Sequence, residues 1–510
     1  MSATRPRLGR ALLDTMRRER GDVASVPDET LLDLPERAVQ FGTGALLRGF
    51  IDDFLHRANQ QGLFGGRVVA IASTASVRDR ALNEQDGLYT LIVEGLVRGQ
   101  RVEEHRIISS LSRAISAVDD WGAVLAVARA ADVRYVFSNT TEVGIVPDTD
   151  SGHDDAPPRS FPAKLTRFLF ERARAFEYDA ARGLTVIPCE LIEDNGDTLR
   201  GIVQAIATRW KLGDAFTTWL ESSVSFCNTL VDRIVPGAPR DENGRRLAEQ
   251  LGYEDAMLTC CEPHCLFAIE GDERLRAQLS WARVDAGIII TPDIAPWRQR
   301  KVHLLNGAHS LLACVALPLG CETVLDAMSH PAINHLVRNA MRTEIAPMVE
   351  ADGAEAFAEA VLERFRNPFI RHALIDITLQ ATMKMRVRVV PIVEKHIERT
   401  GAVPQSLAFG FAAYLLFMQG RWQASRRTQG LAVPVDDQGA RLHALWSVVP
   451  DDAAAPVGEL VWTAGRDRSL WGVDLTTLPG FCDAVAHYLW RIRSQGMGAA
   501  LEHHLASCVA

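Results

Sequence analysis

The sequence predicts an α/β domain followed by a mostly α-helical domain, and three observations predict it. Short apolar, β-branched runs alternate with helical patterns up to about residue 290, the signature of a parallel sheet with right-handed crossovers. A strand, a glycine turn and an amphipathic helix follow one another over residues 37–59. Beyond residue 296, apolar residues recur at three- and four-residue spacing while strand-like alternation is scarce. With ~150 residues per domain as a guide, the 510 residues exceed any single small module. They divide into an N-terminal extension (1–35), an α/β Rossmann-like dinucleotide-binding domain (36–290) and a mostly helical substrate-binding and catalytic domain (291–510).

The elements follow in order. Residues 1–35 form an Arg-rich, Pro-punctuated leader. A strand at 37–41 runs into Phe41-Gly42-Thr43-Gly44 and then an amphipathic helix at 45–59. Next come Gly65-Gly66, a strand at 68–72, a hairpin-like run at 88–93, a helix at 120–131 and a buried strand at 134–138. A further strand at 184–188 leads to the polar loop Glu193-Asp194-Asn195-Gly196-Asp197, with Asp197 read as the N-cap of the helix that follows. The boundary falls near Ile288-Ile289-Ile290-Thr291-Pro292, where a β-branched run meets a proline. Helices are expected over 303–317, 332–350, 354–365 and 481–493, and His503-His504 reads as a solvated tail.

Composition narrows the function classes. A net charge of −9 with 47% hydrophobic and 23% charged residues is that of an ordinary folded protein, so no nucleic-acid partner is expected. The longest apolar run, 407–418, is short of the ~20 residues a bilayer requires and reads as a buried helix, so no membrane partner is expected. The first twenty residues lack the apolar stretch of a secretory signal, and Asp14 and Glu19 weigh against a mitochondrial one; a cytoplasmic protein is expected. Nine cysteines without disulfide-scaffold density fit reduced thiols. Monomer and homodimer are both open.

Gly42-x-Gly44 after a buried strand lets backbone N–H groups and a helix dipole approach a pyrophosphate. The pattern departs from G-x-G-x-x-G, because Leu47 holds the third position, with Arg48 beside it as a possible phosphate contact. The same residues also read as a tight turn with a solvent-facing arginine. Where an acidic residue would hold a ribose diol, the second strand ends in Ser73-Thr74, with Arg78 further on, which leaves NAD and NADP undecided. The tract Phe137-Ser138-Asn139-Thr140-Thr141-Glu142-Val143-Gly144 lies at the carboxyl end of a strand, where open α/β sheets bind ligands; a hydrogen-bonded turn is the alternative.

In the second half, Asn306 and His309 share a helical face at ~100° per residue, with Lys301 ~80° round the axis from His309. Acid–base work near neutral pH needs a lysine brought from ~10.4 towards ~7–8 by burial and neighbours. Asn306 would donate to a carbonyl oxygen gaining charge, and His309 would orient substrate or lysine. A solvated helix-start lysine and a capping Asn/His pair are the structural alternative. Cys260-Cys261-Glu262-Pro263-His264-Cys265 lacks the paired Cys-x2-Cys spacing of a closed zinc site and reads as buried thiols, so no metal is expected. No G-x-S-x-G, Walker or H-E-x-x-H motif occurs, which leaves hydrolase and phosphoryl-transfer chemistry without support.

Taken together, Gln40-Phe41-Gly42-Thr43-Gly44-Ala45-Leu46-Leu47-Arg48, Gln85-Asp86-Gly87-Leu88-Tyr89-Thr90, the tract beginning at Phe137, Phe161-Pro162-Ala163-Lys164-Leu165-Thr166-Arg167, Pro188-Cys189-Glu190-Leu191-Ile192, Thr229-Leu230-Val231-Asp232-Arg233 and the KVHLLNGAH run at 301–309 resemble the polyol-specific long-chain dehydrogenases related to mannitol dehydrogenase. The resemblance implies metal-independent, NAD-dependent hydride transfer. Lys301 would be the general acid/base, Asn195 and Asn306 the oxyanion donors, and His309 a substrate contact. Asp232 matches a substrate-site aspartate and Lys384 a substrate lysine. The cofactor positions implied are Phe41, Gly42, Gly44, Leu46, Arg48, Ser73, Asp86, Asn139, Thr140 and Glu142. Asp376 replaces an arginine of the mannitol-type relatives, which turns the expectation from mannitol to a sugar acid, with Arg371, His372 and Lys384 as cations for its carboxylate. The pair implied is D-altronate and D-tagaturonate, with the epimeric fructuronate, or another polyol or sugar acid, as the alternative.

Overall fold

The computed structural model describes residues 5–19, 24–73, 77–140, 144–239, 242–429, 433–450 and 454–508. Contacts divide the chain into two compact units, Met1–Ile294 and Ala295–Ala510.

Three sheets organise the first unit. Their strands, in chain order, are β1 (Glu36–Phe41), β2 (Arg67–Ala72), β3 (Tyr89–Val97), β4 (Gln100–Ile108), β5 (Leu111–Ser116), β6 (Tyr135–Ser138), β7 (Thr185–Pro188), β8 (Ser225–Phe226), β9 (Thr229–Asp232), β10 (Thr259–Cys261), β11 (Leu266–Glu270) and β12 (Ile288–Thr291). The main sheet is parallel throughout, in the order β5-β2-β1-β6-β7-β8. Strands covered on both faces read as near-continuous apolar runs, as in β2, RVVAIA, where all six residues are buried and the one charged residue, Arg67, donates to the Ser109 and Leu32 carbonyls. Alternate residues feed opposite cores: Ala38, Tyr135 and Phe137 join Phe50, Phe54 and Trp281 on one face. Val39, Phe41 and Val136 join Phe161, Phe168 and Trp219 on the other. Because the chain moves outward from β1 in both directions, the order reverses between β1 and β6, and their carboxyl ends form the switch point where such sheets bind ligands.

The run expected at 88–93 is half of an antiparallel hairpin, β3 with β4, and β10 adds to its edge. The leader is built into this unit: Leu8, Leu13 and Met16, on or beside the helix Arg10–Glu19, pack with Leu88, Ile107, Leu251 and Tyr253. Two expectations are corrected. The helix expected at 45–59 is one turn, Ala45–Arg48, followed by a separate helix, Ile51–Gln60. The break falls where Gly49 presses on Val235; a Cβ at Gly49 would stand 2.7 Å from Val235 Cγ1. The helix after β7 starts at Asn195 behind Asp194, whose φ is +47°. Asp197 does not cap it and instead lies in its first turn, exchanging hydrogen bonds with Asn228 at 2.9 and 3.0 Å.

In the second unit, the helix Gln405–Phe417 is buried almost all round and packs so closely on the neighbouring helix that a Cβ at Gly410 would overlap Leu311. One helical run spans Ala295–Leu319. It is α-helical over Ala295–Arg300, π-helical over Lys301–Gly307, α-helical over Ala308–Ala316 and ends in a 3-10 turn, Leu317–Leu319. By length and composition it is apolar enough to cross a membrane, yet 72% of its most apolar window is buried inside the protein. His504 is not a solvated tail residue: it is 1% exposed, lies against Phe409 and is 3.2 Å from the Tyr488 hydroxyl. Burial pushes its pKa down to about 4.

Candidate functional site

At the carboxyl end of β1, Gly42 holds φ +131°, and a Cβ there would stand 3.0 Å from the Asn139 carbonyl. Only glycine meets both conditions without strain. Nothing lies within 4 Å of where a Cβ on Gly44 would point, so the turn leaves open backbone towards a ligand. The helix that follows is a single turn, so the expected contribution of a long helix dipole is withdrawn and the bare turn carries the approach. At the end of β2, Ser73 Oγ is buried without a hydrogen-bond partner among the described residues. A buried hydroxyl left open asks for an external partner, and this one stands where a ribose would lie in a dinucleotide fold.

The end of β6 is organised by Glu190, which reading the sequence for cofactor contacts passed over although it lies in the Pro188–Ile192 tract. Glu190 is 3% exposed, and its carboxylate accepts from Ser138 Oγ, Thr140 N and Thr140 Oγ1 at 3.0–3.1 Å. Asn139 Nδ2 donates to the Cys189 carbonyl at 2.8 Å. Glu142 lies outside the described residues.

The remaining cofactor expectations divide. Phe41 offers only its backbone to the turn, because its ring is core, packed on Phe161 and Phe168. Leu46 is half-buried on the one-turn helix. Arg48 does not reach outward as expected: it is 5% exposed, its guanidinium lies 5.6 Å over the Tyr89 ring, and Nη1 faces Met257 Sδ at 3.8 Å. Beside it, burial pushes the Asp52 carboxyl up to about 8. Asp86 is also corrected. Its carboxylate accepts from the Arg10 amide at 2.9 Å, and the adjoining Gly87 lies against the Leu111 carbonyl at the start of β5. That is the amino end of the parallel strands, opposite the glycine turn, so the Gln85-Asp86-Gly87 motif is structural.

Asn195 is fully buried. Its Nδ2 has Pro188 O, Glu190 O and Thr229 Oγ1 within 3.0–3.2 Å, and its Oδ1 accepts from Thr229 N at 2.9 Å. The side chain therefore ties the end of β7 to the start of β9. Asp232 closes β9, 4% exposed, with His264 Nε2 3.6 Å away.

In the helical unit, Lys301 is 8% exposed and opens the π-turn. The wider register changes the phase expected from an α-helix. At ~100° per residue Asn306 would stand ~140° away from Lys301, whereas the wider i→i+5 turn brings it nearer the face that carries Lys301. The Asn306 carboxamide makes no hydrogen bond among the described residues; its backbone carbonyl accepts from Ser310 Oγ and Arg388 Nη1 at 3.0 and 3.2 Å. His309 stacks on Phe365 at 4.2 Å and meets His372 edge-on at 4.8 Å. Lys384 Nζ donates to the Ile377 carbonyl at 2.9 Å. Arg371 is 77% exposed and pairs with Glu322 on the surface, so it is removed from the carboxylate contacts. Cys260 and Cys261 occupy successive positions of β10, and burial pushes both thiols up to about 12. No disulfide joins the described cysteines.

Two family models match in tandem, the mannitol dehydrogenase Rossmann domain over residues 36–283 and the mannitol dehydrogenase C-terminal domain over residues 293–493. The chain belongs to the mannitol dehydrogenase family. Among curated relatives, the altronate oxidoreductase of Bacillus subtilis (strain 168) is 39% identical over 473 residues, covering 92% of this chain and 95% of that one. The altronate oxidoreductase of Cronobacter sakazakii is 41% identical, covering 92% and 96%. Among solved structures, Pseudomonas fluorescens mannitol 2-dehydrogenase, in a ternary complex with NAD and D-mannitol, superposes with a TM-score of 0.72 at 22% identity, covering 98% of this chain and 99% of its own. A substrate-free D-sorbitol dehydrogenase gives 0.77 at 20% identity, covering 97% and 100%. Both show the same fold.

Proposed function

We propose that the chain is an NAD-dependent oxidoreductase that interconverts D-altronate and D-tagaturonate without a metal. The observation that carries this reading is identity of 39–41% to altronate oxidoreductases over 92% of the chain, joined to a buried Lys301 on the same π-turn as Asn306, whose carboxamide makes no hydrogen bond among the described residues. Gly42, Gly44, Ser73, Asn139 and Thr140 would hold the dinucleotide, which when bound supplies or accepts the hydride.

During reduction, Lys301 in its ammonium form gives a proton to the oxygen of the C3 carbonyl. Asn306 donates to the same oxygen as it gains negative charge, a contribution of ~3–4 kcal/mol in comparable sites. His309, held flat against Phe365, orients the substrate. In oxidation the Lys301 amine takes the hydroxyl proton. Asn195, already engaged within its own unit, fixes the strand ends instead of serving the oxyanion. His372 and Lys384 take the carboxylate, with Asp232 on a hydroxyl. The reading keeps the protein cytoplasmic, with a small sugar acid as its partner, as monomer or homodimer.

The test is oxidation of NADH and of NADPH against D-tagaturonate, D-fructuronate and D-fructose. Highest kcat/KM with tagaturonate and NADH is expected. A preference for fructuronate moves the assignment to the epimer, a preference for fructose removes the carboxylate contacts, and tighter NADPH binding overturns the cofactor.

A further inference from the structure

A π-turn carries one residue more than the α-helix around it, and such turns mark functional positions more often than they occur by chance. The supports of the turn at Lys301–Gly307 converge on one residue outside it, through both its backbone carbonyl and its side chain. Arg388 closes the helix Ala381–Arg388. Its carbonyl lies 2.9 Å from His303 Nδ1 and 3.3 Å from where a Cβ on Gly307 would stand. Its Nη1 donates to the Asn306 carbonyl and to Ser310 Oγ, both at 3.2 Å. Ser310 Oγ in turn donates to the Asn306 carbonyl at 3.0 Å. Burial lowers the pKa of His303, so near neutral pH the ring is neutral and its Nδ1–H is the donor to the Arg388 carbonyl.

The clasp is electrostatically costly. Burial pushes the Arg388 guanidinium down to about 10, so it stays cationic, and no carboxylate pairs with it among the described residues. A half-buried cation with no carboxylate beside it is unfavourable. If filling space were the only requirement, an apolar side chain would do it at lower cost. What an apolar side chain lacks is a donor for the Asn306 carbonyl, within the turn whose register sets the two reacting side chains.

We propose that Arg388 is a positioning residue for proton transfer, holding the π-turn that aligns Lys301 with the Asn306 carboxamide. The proposal rests on Lys301 being the proton donor. Without the clasp, the segment relaxes towards α-helical register and Asn306 swings away from Lys301, with no change to the residues that hold the dinucleotide.

The experiment compares Arg388→Met, Arg388→Lys and Arg388→Ala in the full-length chain, reading kcat, KM for the keto acid, NADH affinity and melting temperature. Arg388→Met is expected to lower kcat about 100-fold, the scale of a small misplacement of reacting groups, with KM and NADH affinity within about threefold of wild type. Arg388→Lys, which keeps one donor, recovers about a tenth of the rate or more. Added guanidinium raises the rate of Arg388→Ala but not of Lys301→Ala. Unchanged kcat in Arg388→Met overturns the proposal. So does a loss of rate that tracks melting temperature and NADH affinity and that guanidinium does not relieve. If Arg388→Met fails to fold, Ser310→Ala removes the other donor to the Asn306 carbonyl; a drop in kcat at constant KM supports the proposal and unchanged kcat overturns it. Full activity in Lys301→Ala would remove the Lys301 reading itself, separately from the result at Arg388.

Discussion

Two asparagines, one in each unit, resemble the same family role, and their surroundings differ. Asn195 is enclosed, with three acceptors around its amide nitrogen and a backbone donor on its oxygen. Asn306 has a carboxamide with no hydrogen bond among the described residues, on a turn whose backbone carbonyl is held by Ser310 and Arg388. The difference shows how each region prepares for chemistry. The nucleotide unit uses its polar side chains to tie strand ends together and presents mainly backbone at the glycine turn. The helical unit ties the backbone at Asn306 and leaves that carboxamide without a hydrogen bond among the described residues. A buried donor already satisfied contributes to stability, whereas an unengaged one contributes to binding or to the transition state.

The largest expected effect is at Lys301, the proposed proton donor. Lys301→Ala should lower turnover about 1,000-fold, within the range for general acid–base catalysis, with NADH affinity unchanged in a fluorescence titration. Asn306→Ala should cost about 100-fold or more in kcat, as for loss of one oxyanion donor, with the melting temperature within a degree or so. Asn195→Ala should do the reverse: leaving buried partners unsatisfied costs ~1–3 kcal/mol for each group, so calorimetry should record a clear loss of stability. If Asn195→Ala melts like wild type while its kcat collapses, the two asparagines act alike and the contrast fails. Gly42→Ala should weaken NADH binding about tenfold or more, because the new methyl group meets the Asn139 carbonyl in a left-handed conformation. Asp86→Asn should leave NADH affinity unaltered, since its carboxylate faces the leader at Arg10.

The smallest effect concerns acid stability. His504 has a folded pKa of about 4, below the ~6.5 of an unfolded imidazole, so between those values the unfolded chain binds the extra proton. Stability from this residue is present above pH 6.5 and lost as pH falls towards 4, about 2 kcal/mol by pH 5. His504→Phe should flatten the decline in melting temperature between pH 7 and 5, and an unchanged slope would reject the assignment.

The places of the glycine turn and of the KVHLLNGAH run were legible locally. Gly42 follows a buried strand, and Lys301, Asn306 and His309 recur within one apolar helical stretch, so strand–turn–helix order and motif spacing pointed to both segments. Arg48 and Asp86 were misread for a shared reason: a charged residue beside a glycine motif looks like a ligand contact until its own neighbours are known. Those neighbours, Tyr89 and Met257 for Arg48 and Arg10 for Asp86, lie 41, 209 and 76 residues away along the chain.

The sequence by itself determined the class of each half, the place of the glycine turn, and which residue types stand at the reacting helix, because apolar periodicity and turn chemistry are local properties. What depends on residues far apart in the chain is that Asn195 is enclosed, that the leader packs into the first unit, and that the segment carrying Lys301 and Asn306 takes π-helical register. The π-turn brings the Asn306 carbonyl a side-chain donor from another helix as well as one from its own. Arg388, 82 residues beyond Asn306, is not visible from any window that contains the motif.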